Sequence, residues 1–256
     1  MELLTSLVEG VIENSNNNLL RLETFTLTYN PTNTIEAFSQ PHALPLCLLH
    51  LSGLQTLRLK NIPHHNSPSY TDLHRILLAN AETLTTLELS NISIVDVEFV
   101  GGRITLPSVK TMTIGFAYPR DLVWAAQTLD LPALGELIVE DQTASVGWVS
   151  GTDKHQIMEG YQELMRCFPL DHVRRLTLRD VVFYEVRPDA VESKDGPFSF
   201  EFVLRFRELE VLNLWSTDTS VLKVLKTSSD IVFPNLCLYL DGCHFVDRVV
   251  SLKDLL

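Results

Sequence analysis

Seven times along the chain an apolar residue is followed by a second three positions later and a third two positions beyond that. The copies are Leu22/Phe25/Leu27, Leu54/Leu57/Leu59, Leu84/Leu87/Leu89, Val109/Met112/Ile114, Leu134/Leu137/Val139, Val173/Leu176/Leu178 and Leu209/Leu212/Leu214. An eighth copy, around Leu236, Leu238 and Leu240, keeps the strand character and the fourth and sixth positions of the frame, but with Asn235 at the first it is expected to slip register. Two residues apart in an extended chain point to the same face, so the fourth and sixth positions share one side and the residues flanking them take the other. The frame predicts short strands, each with one buried and one open side. A strand this short cannot bury its apolar face alone, but stacking such units side by side builds a continuous core.

Between the strands the period changes. Residues 70–84 carry Leu73, Ile76, Leu77 and Asn80-Ala81 at helical spacing behind a Ser69 or Thr71 cap. Helical stretches are also expected at 3–13, 120–129, 155–168, 198–206 and 220–227, each ahead of the next strand. Leu106-Pro107, Leu131-Pro132 and Phe233-Pro234 stand just before three of the strands, where a proline closes the preceding segment without removing a ladder hydrogen bond. The expected architecture is a single α/β solenoid over residues 1–256, with parallel strands on one side and helices on the other. It has a helical cap at 1–18, about eight repeats over 22–245 and a second helical cap at 246–256. Spacing between the copies is uneven, which suits an irregular solenoid.

This frame resembles the leucine-rich repeat, and its phrasing is similar to the irregular repeats that follow the F-box in F-box proteins of mushroom-forming (basidiomycete) fungi. The likeness is carried by Leu54-Gln55-Thr56-Leu57-Arg58-Leu59-Lys60-Asn61-Ile62, by Asn80 to Ile92, by the Leu-Pro corners and by Leu209-Glu210-Val211-Leu212-Asn213-Leu214. It implies a leucine-rich-repeat-like fold and a substrate-recognition role in an F-box-type ubiquitin ligase adaptor. Two departures matter. The ninth position of the frame, Asn or Cys in the family, holds Ile62, Ile92, Val181 and Thr217, with Asn30 and Cys243 as the matches, so an apolar-packed turn is expected. Only 21 residues precede the first repeat strand, and no F-box is visible among them, so recruitment of ubiquitin-ligase subunits is not carried over.

Charge and cysteine content narrow the functional classes. Lys and Arg number 20 against 32 Asp and Glu, a net charge of −12, which argues against a nucleic-acid backbone as partner. The cysteines at 47, 167, 237 and 243 include no CxxC pair, and reduced, buried thiols are expected. The amino terminus lacks the basic segment of a signal peptide, and no apolar run approaches the roughly 18 residues of a bilayer span. A cytoplasmic location is expected, with the nucleus as the alternative, and no membrane partner.

Chemistry finds little purchase. Phosphate-binding, dinucleotide-binding, nucleophile-elbow and zinc-helix motifs do not occur. His64-His65, with Asp72 and His74 downstream, matches no compact zinc spacing and reads as a solvated loop. Cys237 and Cys243, with His244 adjacent, read as core thiols rather than a nucleophile pair. The acidic run 136–141 reads as the open face of a strand. No catalytic, cofactor-binding or metal-binding residue is assigned. An enzyme using a site in the 142–154 or 187–197 insertions is the alternative.

The open face offers more. Its fifth-position residues are Thr26, Arg58, Glu88, Thr113, Ile138, Thr177, Asn213 and Tyr239. Its seventh-position residues are Thr28, Lys60, Ser90, Gly115, Glu140, Arg179, Trp215 and Asp241. Arg179, Trp215 and Tyr239 fall on three consecutive predicted strands, and Arg, Trp and Tyr are the types most enriched at binding hot spots. The expected function is a non-catalytic interaction scaffold for a protein or peptide, contacting Arg179, Trp215 and Tyr239 with Arg58 and Lys60 further along.

Overall fold

Every copy of the apolar frame is a strand. The computed structural model describes residues 22–28, 51–62, 67–92, 102–143, 151–181, 202, 205–217 and 236–242. In chain order it contains β1 (Thr24–Thr28), β2 (Thr56–Ile62), α1 (Tyr70–Ala79), β3 (Thr86–Ile92), β4 (Ile104–Thr105), β5 (Thr111–Phe116), α2 (Pro119–Thr128), β6 (Leu129–Asp130), β7 (Glu136–Asp141), α3 (Gly151–Cys167), β8 (Arg175–Arg179), β9 (Val211–Trp215) and β10 (Cys237–Asp241). The expected caps at 1–18 and 246–256 lie outside the described residues. So do His64-His65, Cys243, His244, Phe233-Pro234, the segment 187–197 and the helix expected at 220–227.

The main sheet is open and parallel, with strand order β1-β2-β3-β5-β7-β8-β9-β10. The frame positions align across it without a slip. Phe25, Leu57, Leu87, Met112, Leu137, Leu176, Leu212 and Leu238 form one row, and Leu27 through Leu240 form the next but one. These rows face inward and are buried, except at the two sheet ends, where Leu27, Leu238 and Leu240 are partly covered. The eighth copy therefore keeps the common register, and the slip expected from Asn235 does not occur.

The helices bury their apolar sides in the same core. In α1, Leu73, Ile76 and Leu77 recur at helical spacing and are buried, and Ser69 caps the first turn by accepting from the Asp72 N–H at 3.1 Å. In α2, Pro119 sits at the start, where its missing N–H costs nothing. Helix α3 begins at Gly151, four residues ahead of the expected start, so the end of the expected 142–154 insertion is helical. Its first turn, Gly-Thr-Asp-Lys, carries no apolar residue to mark it in the sequence.

Two short strands had no sequence signal. Strands β4 and β6 pair in parallel, and Leu129, expected to end a helix, lies in β6. Each runs straight into a Leu-Pro corner. There the Val109 N–H returns to the Leu106 carbonyl (3.3 Å) and the Leu134 N–H to the Leu131 carbonyl (3.2 Å), which puts the proline at the second position of a tight turn.

Five of the strand ends share one turn, which the ends of β5 and β7 lack. Asn61, Asn91, Asp180, Ser216 and Gly242, at the eighth frame position, have φ between 47° and 59°. That left-handed turn drives the ninth residue back into the core. Ile62, Ile92, Val181 and Thr217 are buried there, as the apolar-packed turn requires. Thr217 meets its polar demand by donating to the Leu178 carbonyl at 3.0 Å.

At the other end of the units, Asn80 closes α1. Its Oδ1 accepts from the Leu54 N–H (2.8 Å), and its Nδ2 donates to the carbonyls of Leu51 (2.9 Å) and Ile76 (2.7 Å). A single buried amide thus ties the end of one helix to the loop that opens the strand before it.

Candidate binding surface

The third, fifth and seventh frame positions of the eight strands form the outward face. Its basic residues are Arg58, Lys60, Arg175 and Arg179, and its acidic ones are Glu88, Glu136, Glu140 and Asp241, so four charges of each sign balance. The five residues expected to contact a partner all lie on this face and separate into two groups.

Arg58 and Lys60, on β2, both reach Glu88 on β3, at 3.3 and 2.6 Å. Five strand steps, about 24 Å, separate β2 from β9, so these cations belong to a different neighbourhood from Trp215. Arg179, Trp215 and Tyr239 do come together. Arg179 and Trp215 are register partners on β8 and β9, and the guanidinium carbon lies 4.9 Å from the indole centroid. Tyr239 on β10 pairs with Asn213. Trp215 is 45% exposed and Tyr239 58%, so both rings face solvent and the strand register expected from parity holds at this end.

What holds Arg179 was not read from the sequence. Its Nη1 donates to Glu140 Oε1 on β7, while its Nε is buried without an acceptor. Glu140 is itself 7% exposed, although it stands on the outward face. Its other oxygen accepts from Ser90 Oγ at 2.7 Å and from Gln142 Nε2 at 3.4 Å. Ser90 is on β3 and Glu140 on β7, and the strand between them contributes Gly115 at this level. A Cβ on Gly115 would lie 2.5 Å from Ser90 Oγ and 3.0 Å from Glu140 Oε2. Only glycine leaves room for this bond to pass over β5. One row of side chains is therefore linked across five strands, from Ser90 through Glu140 and Arg179 to Trp215.

Other residues singled out by sequence take structural roles. Asp72 accepts from the Ser69 hydroxyl (2.7 Å), and His74 packs against Tyr70, the ring centroids 5.6 Å apart. No group of three or more His, Cys, Asp or Glu among the described residues could hold a metal ion. Cys237, expected in the core, is exposed. It occupies an outward third position, and that parity overrides the general preference of cysteine for burial. In the acidic run, Glu136 and Glu140 point outward as expected, whereas Asp141 is buried at the end of β7. Burial raises the Asp141 carboxyl above the usual range, and the nearby Asp180 charge adds to this. Hydrogen bonds from the Thr143 hydroxyl (2.6 Å) and N–H (3.0 Å) oppose it.

Comparison with family models, curated proteins and solved structures returns no match. No helix among the described residues is long and apolar enough to cross a membrane.

Proposed function

We propose that the protein is a non-catalytic interaction scaffold, an irregular leucine-rich-repeat-like solenoid that presents the outward face of its sheet to a protein or peptide. The observation that carries this reading is the solvent-facing pair Trp215 and Tyr239, with Arg179 stacked on the indole and anchored from the neighbouring strand by Glu140. An indole held in place before binding, as Arg179 holds Trp215, loses little entropy on contact, which is what a hot spot needs. The repeat reading draws support from eight copies of one frame in one register, with the strands side by side in chain order. Substrate recognition within an F-box-type ubiquitin ligase adaptor follows from the sequence resemblance alone, and a cytoplasmic or nuclear setting goes with it.

The test compares partners cross-linked in cells to the wild-type chain and to Trp215→Ala. A partner held by the wild type should be released by the variant, with affinity lower by at least about thirtyfold, equivalent to about 2 kcal/mol, while circular dichroism stays unchanged. Identical capture by a folded Trp215→Ala, Tyr239→Ala double variant would refute the surface.

A further inference from the structure

We draw no further inference here: the strongest candidate, the exposed Trp215–Tyr239 patch at the β8–β10 end of the outward sheet face, belongs to the surface already described, and with the charged, exposed Asp241 beside Trp215 nothing in the structure shows what covers it.

Discussion

Replacing Asn80 by Ala should be among the most damaging single changes to this fold that leaves its apolar core untouched. Asn80 is 1% exposed, and its amide serves the Leu54 N–H and the Leu51 carbonyl, both on buried residues, besides the last turn of α1. Alanine removes all three bonds and leaves two buried backbone groups facing no partner. Each such group costs about 1 to 3 kcal/mol, so the sum is about 2 to 6 kcal/mol against a typical total stability of about 5 to 15. For a chain of this size that corresponds to a melting temperature lower by about 10 °C. Urea unfolding followed by far-ultraviolet circular dichroism measures the free energy directly. Asn80→Asp sharpens the test, because it keeps the acceptor for Leu54 and turns the donor into a carboxylate aimed at two carbonyls. It should be at least as destabilised as Asn80→Ala at neutral pH and should recover in part as acid protonates the new carboxyl. A loss below about 1 kcal/mol in Asn80→Ala would refute the claim that this amide ties helix to strand.

Leu87→Ala and Leu176→Ala, at fully buried inner positions, should each cost about 2 to 5 kcal/mol in the same assay. Thr128 is fully buried and its hydroxyl has no hydrogen-bond partner, so Thr128→Val should raise stability by about 1 kcal/mol, and a decrease would mean that the hydroxyl is satisfied. Because burial holds the folded Asp141 carboxyl above the ordinary aspartate range, the folded state keeps a proton that the unfolded chain has released, and stability falls as pH rises from the ordinary range through the raised one. Asn keeps the acceptor for Thr143 without the charge, so Asp141→Asn should melt higher than the wild type at neutral pH and lose that advantage in acid. Removing the exposed Arg58 guanidinium by Arg58→Met leaves Glu88 paired with Lys60 and should change stability by less than about 1 kcal/mol.

The strands and their alignment were legible because a two-residue period on a leucine background leaves one choice of inner face, and a slip by one residue would turn every leucine to solvent. That same parity placed Trp215 and Tyr239 outward. It also put Cys237 outward, against the expectation drawn from residue type, and parity prevailed. Strands β4 and β6 were illegible because two residues carry no period. The start of α3 was hidden by a polar first turn. Asn80 stood at helical spacing and looked like one more helix residue, since nothing local shows that its amide reaches a loop 26 residues away. The Ser90–Glu140 bond spans 50 residues of sequence. Its elements stood side by side in the seventh-position row, yet the meaning of Gly115 emerges only once two side chains are seen to meet above it.

The side-by-side strand order bears on how this chain is made. Every strand of the main sheet finds its partner in the neighbouring unit of sequence, and none waits for a distant segment. A growing chain leaving the ribosome can therefore add each strand to a ladder already formed, and the closing of long loops that slows many parallel sheets is divided into short, similar steps. Central strands, with a neighbour on each side, become the slowest to exchange their amide hydrogens, and opening starts at the first and last strands. Under mechanical load applied at its ends, such a sheet yields strand by strand, so its extension record should show a series of small steps in place of one large rupture.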